Sequence, residues 1–160
     1  MKRDDLWHFA AGCYARPGIE AVCLELQSAG ADVCLLLAGA WLEGRGVSCS
    51  AARLEIMKQL SADWRVKVVA PLRDLRQAWR EAATDDSALA RLRKGIKALE
   101  QDAERVQLDR LAKAAQHWSV HEGTADWLDQ LCTELIGEPS TQMDVLRQAA
   151  FAQLDAEGGA

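Results

Sequence analysis

Hydrophobic residues recur at spacings of three and four along nearly the whole chain, which is the period of an α-helix. One segment shows this clearly, because Ile19, Val22, Cys23 and Leu26 occupy positions i, i+3, i+4 and i+7. No stretch alternates apolar and polar residues between turn signals, as a β-hairpin strand does. The pattern therefore predicts an all-α fold, a compact single-domain helical bundle of six to eight helices.

The most apolar stretch extends from Ala31 to Leu42. From Val33 onward it is apolar on every side, which indicates a central helix surrounded by other helices, and Asp32 can cap its first turn. Twelve helical residues rise about 18 Å, too little for a hydrocarbon layer of about 30 Å. We therefore expect no membrane association. The N-terminus offers no export signal, so we expect a cytoplasmic protein.

The middle of the chain predicts two further features. Pro71 lies inside an apolar pattern over residues 63–83, and a proline there predicts a kinked helix, because it lacks the N–H and crowds the preceding turn. A long helix is expected near residues 86–116, packed against the preceding helix as a helical hairpin arm. Its apolar positions alternate in steps of three and four at Leu89, Leu92, Ile96, Leu99, Ala103 and Val106.

Composition and charge limit the possible classes of function. The chain has 160 residues, so we expect one domain over residues 1–157, in which residues 119–157 form an acidic helical C-terminal extension. A formal charge of −5 argues against nucleic-acid binding. Four of the five cysteines lie in apolar helical patterns, so we expect neither disulfides nor a zinc cluster.

One charged arrangement suggests chemistry. Arg73, Arg76 and Arg80 share a helical face, and Glu100 and Glu104 lie four apart in the long helix. If the two helices pack antiparallel, arginine–carboxylate pairs would fix the register between them. Alternatively, the arginines face a pocket and hold an anionic ligand. The residues named as binding candidates are Gln27, Asp32, Arg73, Arg76 and Glu104.

No catalytic residue, metal site or cofactor is predicted. His117 and His121 have the four-residue spacing of two metal ligands, but a third ligand is missing and the helix is expected to end nearby. The sequence contains no phosphate loop, dinucleotide-binding glycine pattern or GxSxG elbow. The two histidines are therefore interpreted as surface residues.

Three segments carry a family resemblance, namely residues 5–18 (with Leu6-Trp7-His8-Phe9-Ala10, Tyr14 and Pro17-Gly18), residues 23–42 and residues 64–73. Together they resemble a family of small bacterial proteins classified as a domain of unknown function, over about residues 4–112. That family usually has Asn where this chain has Cys34. The resemblance implies a compact helical protein of the bacterial cytosol, and it assigns no catalytic residue.

Two functional hypotheses follow. The leading one is a helical module without catalytic activity that binds another cytosolic protein, because the chain has six tryptophans and a heptad-like arm. The alternative is a bundle that binds a small anionic or apolar ligand, possibly as an enzyme with an Arg/Glu pocket. An enclosed cavity ringed by the candidate residues would favour the second hypothesis. The oligomeric state is left open.

Overall fold

The computed structural model describes residues 4–120, 123–138 and 140–158 and consists there of helices joined by short turns. The α-helices are α1 (Asp4–Tyr14), α2 (Ile19–Ser28), α3 (Val33–Gly44), α4 (Ala51–Trp64), α5 (Ala70–Ala78), α6 (Ser87–Ala115), α7 (Trp127–Leu135) and α8 (Thr141–Gly158). A π-helical segment, Arg65–Val69, joins α4 to α5 without a break, and a 3₁₀ turn, Ala82–Thr84, precedes α6. The predicted all-α bundle is confirmed.

Helix α3 is the centre of the bundle. Every residue from Leu35 to Leu42 is buried, and α3 contacts α1, α2, α4, α6, α7 and α8. Asp32 caps its N-terminus by accepting a hydrogen bond from the Leu35 N–H at 3.2 Å. Burial of a leucine or tryptophan side chain contributes about 1.5–3 kcal/mol, so this helix anchors the hydrophobic core.

The interruption predicted at Pro71 is present as a π-helical turn directly before it. The Ala70 N–H donates to the Arg65 carbonyl, five residues back, so the turn is one residue wider than in an α-helix. Pro71 then lies at the start of α5, directly after the widened turn. The widened turn thereby accommodates the proline without ending the helix.

Helix α6 spans 29 residues, close to the predicted bounds, and packs against α5 as the expected hairpin arm. Only half of the predicted apolar stripe faces inward: Ala103 is buried and Leu89 and Ile96 are half-buried. Leu92 and Leu99 are 60% and 54% exposed, whereas Glu100 and Gln107 are buried. The inner face of α6 therefore combines two polar residues with the apolar side chains of Ala103, Leu108, Leu111, Ala112 and Ala115.

Candidate functional site

A pocket of about 490 Å³ opens between α1, α2, the start of α3 and the C-terminal half of α6. We call it the central pocket. Four of the five candidate residues line it, namely Gln27, Asp32, Arg73 and Glu104. Arg76, the fifth, is not among the lining residues and binds Glu100 instead. The apolar walls of the central pocket come from Trp7, Ala10, Ala11, Val33, Leu37, Val69 and Leu108.

Two polar residues in the pocket wall are buried, Asp32 at 7% and Gln107 at 2% exposure. Ser61 Oγ donates to Asp32 Oδ2 at 2.5 Å. The Gln107 amide nitrogen lies 3.2 Å from both carboxylate oxygens and donates to Ser61 Oγ at 2.6 Å. These three side chains are called the polar network. Ser61, Gln107 and the N-terminus of α3 donate the hydrogen bonds that stabilise the buried carboxylate of Asp32. Among the described residues, no Arg, Lys or His nitrogen lies within 4 Å of this carboxylate.

Sequence analysis did not select Ser61 or Gln107. Each is a polar residue in the buried stripe of its helix: Ser61 follows Leu54 and Met57, and Gln107 precedes Leu108 and Leu111. A polar residue at such a position must find a partner inside the protein. The signal was therefore present, but the sequence does not show which buried group lies opposite.

Two members of the predicted arginine–glutamate cluster, Arg73 and Glu104, line the pocket. Arg73 Nε donates to Glu100 Oε1 at 2.9 Å, and Arg73 Nη2 donates to Glu104 Oε1 at 2.8 Å. Arg76 Nε donates to Glu100 Oε2 at 2.5 Å. Pairing is thus confirmed for Arg73 and Arg76. Arg80 is exposed and has no such pair with the described residues, so its predicted place in the cluster is wrong.

Gln27 connects this cluster to α2. Guanidinium nitrogens only donate hydrogen bonds, so the amide oxygen of Gln27 must be the atom that faces Arg73. It accepts from Arg73 Nε at 2.8 Å and from Nη1 at 3.2 Å. Arg73 is therefore shared by Glu100, Glu104 and Gln27, and little of its positive charge is left uncompensated for an anionic ligand.

The pKa values of the two glutamates are shifted in opposite directions. Burial alone would raise the pKa of Glu100, but the hydrogen bonds from Arg76 and Arg73 outweigh it and hold the pKa below its usual value of 4.5. Burial raises the pKa of Glu104 above 4.5, and its bond to Arg73 compensates only in part. Glu104, which lines the pocket, is therefore the carboxyl group with the higher proton affinity.

Cys34 also lines the central pocket. Burial raises the pKa of its thiol well above the usual value of 9.0, and the nearby carboxylates of Glu104 and Asp32 raise it further. A neutral thiol is a poor nucleophile. Cys34 therefore contributes a small, weakly polar surface rather than a reactive group.

Of the two histidines noted in the sequence, His117 does not line this pocket. His117 contacts Gln116, and His121 lies outside the described residues. Within the described ranges, no group of three or more His, Cys, Asp and Glu side chains has the geometry to hold a metal ion. In the same part of the chain, no helix has both the length and the apolar character needed to cross a bilayer.

The central pocket lies within the part of the chain that a family model matches. The family model described as "Protein of unknown function (DUF2390)" matches residues 5–111. The chain belongs to this family. The DUF2390 match includes every residue that lines the central pocket, from Trp7 to Leu108, whereas α7 and α8 lie beyond it. No curated protein and no solved structure matches the chain. The family resemblance noted from the sequence is thus confirmed.

Proposed function

We propose that this DUF2390 protein binds a small organic molecule in the central pocket. The observation that carries the proposal is the convergence of Gln27, Asp32, Arg73 and Glu104, which come from four separate segments, on one cavity. Its volume of about 490 Å³ is within the range of ligand pockets. Apolar walls with a few placed polar groups are the usual composition of such sites.

The charges around the pocket indicate the class of ligand. Its lining contains three arginines, Arg65, Arg73 and Arg105, and three acids, Asp32, Asp102 and Glu104. Arg73 already binds Glu100 and Glu104, and Arg105 lies over the ring of Trp7 at 4.9 Å. Arg65 and Arg105 pair with no carboxylate among the described residues, but Arg65 donates only an exposed hydrogen bond to the Gly30 carbonyl at 3.5 Å and Arg105 is exposed. A strongly anionic ligand would therefore meet uncompensated cations only at the exposed edge of the site. We favour a neutral or zwitterionic molecule with an apolar part against Trp7, Val33 and Leu37.

The polar groups that line the pocket support ligand binding rather than catalysis. Asp32 is fully engaged by Ser61, Gln107 and the Leu35 N–H, and Cys34 is held as a neutral thiol. We place the protein in the bacterial cytosol, since its five cysteines are free thiols and the resembled family is bacterial.

Native mass spectrometry of the full chain, purified gently from its own host, tests the proposal. The expected result is a bound small molecule that is retained by the parent and by Ala21→Phe, an exposed substitution on α2 away from the pocket. Ala11→Phe places a ring at the pocket lining and should abolish retention while the protein stays folded. Retention of the same molecule by Ala11→Phe would contradict the proposal.

A further inference from the structure

The amide oxygen of Gln107 is a hydrogen-bond acceptor without a donor in the central pocket. Gln107 is 2% exposed, and oxygens of Asp32 and Ser61 surround its amide nitrogen, which assigns Oε1 to the other side of the amide group. No described residue donates to Oε1, and it is not among the unpaired atoms sealed from solvent, which are Trp41 Nε1 and Arg45 Nε. Because Gln107 lines the pocket, its Oε1 reaches the pocket surface.

Glu104 provides a second acceptor beside the first. Arg73 Nη2 donates to Glu104 Oε1 at 2.8 Å, whereas Oε2 accepts from no described residue. Glu104 and Gln107 are three residues apart on α6, so they point about 60° from each other and their Cβ atoms are about 5–6 Å apart. One group with several N–H bonds can therefore donate to both side chains.

The surrounding charges favour an ammonium group in this position. A donor atom bound to Gln107 Oε1 lies at most about 8 Å from the Asp32 carboxylate, because Gln107 Nε2 is 3.2 Å from it. Arg65 also lines the pocket, but its hydrogen bond to the Gly30 carbonyl is exposed, so solvent screens its charge more than that of the buried Asp32. An ammonium group also forms a charge-assisted hydrogen bond with Glu104.

A cation lies on the other flank of the pocket-facing side of α6. Arg105 points about 160° from Gln107 around the helix axis, and Leu108 lies between them. Its guanidinium group is over the Trp7 ring at 4.9 Å and pairs with no carboxylate of the described residues, since Asp102, one turn away, is exposed and not bound to it. A helix is about 10–12 Å across with its side chains, so the two ends are on the order of 10 Å apart.

We propose that the central pocket binds a zwitterion whose two charges are separated by an apolar chain, as in an ω-amino acid. Its ammonium group donates to Gln107 Oε1 and Glu104, its chain lies against Leu108, and its carboxylate meets Arg105. An α-amino acid carries both charges on one carbon and does not span these ends. The inference rests on the proposed function and narrows its ligand to one class.

Four small probes test this inference with the parent chain. These are ε-aminocaproate, its isomer norleucine with both charges on one carbon, neutral caproamide and anionic caproate. NMR titration follows the side-chain amide of Gln107 and the indole N–H of Trp7. We expect ε-aminocaproate to shift both signals and to bind at least about tenfold tighter than each of the other three.

Matched variants assign the two ends of the ligand. Glu104→Gln keeps the size of the side chain, and it should weaken ε-aminocaproate about tenfold while leaving caproamide unchanged. Glu81→Gln, at an exposed acid that does not line the pocket, should leave both unchanged. Arg105→Gln should weaken ε-aminocaproate but not n-hexylamine, which has no carboxylate.

The outcomes separate this inference from the proposed function. Binding of norleucine, caproamide or caproate as tight as that of ε-aminocaproate would overturn the inference and leave the pocket a ligand site. Equal affinity of the parent and Glu104→Gln for ε-aminocaproate would do the same. Pocket signals that no probe shifts, charged or neutral, would contradict the proposed function as well.

Discussion

Two regions of the molecule have similar hydrophobic periodicity but are packed differently. One is the body, which surrounds α3, and the other is the arm, residues 70–99, which comprise α5, the 3₁₀ turn and the N-terminal half of α6. In the body, α3 is buried over eight consecutive residues, whereas the arm has no buried residue over thirty. Both regions show leucines at helical spacing. The difference shows that periodicity reports which residues share a side of a helix, and that the number of neighbouring helices decides how deeply that side is buried.

The polar chemistry differs in the same way. In the body, the charge of Asp32 is satisfied by the uncharged side chains of Ser61 and Gln107 and by a helix N-terminus. At the base of the arm, Glu100 is satisfied by two arginines that still reach solvent. The body therefore encloses its charge with neutral hydrogen-bonding groups, and the arm is attached by ion pairs.

The largest expected effect compares two identical substitutions. Leu36→Ala removes a side chain that is 0% exposed in α3 and should lower the free energy of unfolding by about 3 kcal/mol, because it leaves a cavity. Leu92→Ala, in the arm, should change it by less than about 0.5 kcal/mol. Urea denaturation measures both. Equal losses would mean that the arm is packed as tightly as the body.

The next effect concerns the attachment of the arm. Glu100→Gln weakens the bonds to Arg73 and Arg76 and should lower the free energy of unfolding by about 2 kcal/mol, since hydrogen bonds to charged groups are among the stronger ones. Arg80→Met, an exposed change on the same helical face, serves as the control and should be within about 0.5 kcal/mol of the parent. A loss for Arg80→Met as large as that for Glu100→Gln would show that the ion pairs do not anchor the arm.

The stability lost in Glu100→Gln should depend on pH, because the pKa of Glu100 is lower in the folded protein than its usual 4.5. Between the folded pKa of Glu100 and pH 4.5, the unfolded chain therefore binds more protons than the folded protein, and stability rises with pH. The contribution of Glu100 should be fully present above pH 4.5 and disappear as pH falls through its folded pKa. Unfolding of the parent and Glu100→Gln between pH 7 and pH 3 checks this, and a difference that grows on acidification would contradict it.

The smallest expected effect is that of Glu104, whose contribution to stability changes with pH in the opposite direction to that of Glu100. Glu104 has a raised pKa in the folded protein, so the folded state binds more protons between its unfolded and folded pKa values, and stability falls as pH rises through that range. Glu104→Gln removes this dependence and should leave stability at pH 7 within about 0.5 kcal/mol of the parent. NMR titration should find that Glu104 titrates above Glu100, and the reverse order would refute the assignment of the two carboxyl groups.

Sequence patterns predicted the helices, the capping of α3 by Asp32 and the pairing of Arg73 and Arg76 with glutamates, because these depend on local spacing and on antiparallel packing of adjacent helices. They did not predict that Gln27 meets Arg73 or that Gln107 meets Asp32, which lies 75 residues away. Such contacts depend on how α2, α3 and α6 are arranged in space. The exposure of Leu92, Leu99 and Val106 was also missed, since an apolar stripe reads the same in the sequence whether or not another helix covers it.

Ligand-induced chemical shifts in the full chain test the central claim most directly. Fragments in matched neutral, zwitterionic, cationic and anionic forms are titrated while the indole N–H signal of Trp7 and the side-chain amides of Gln27 and Gln107 are followed, with the Trp118 indole as a remote reference. The account predicts that neutral or zwitterionic fragments shift the first three signals together, and that Ala11→Phe removes these shifts. Shifts confined to other signals, or none at millimolar concentration, would contradict a ligand-binding central pocket.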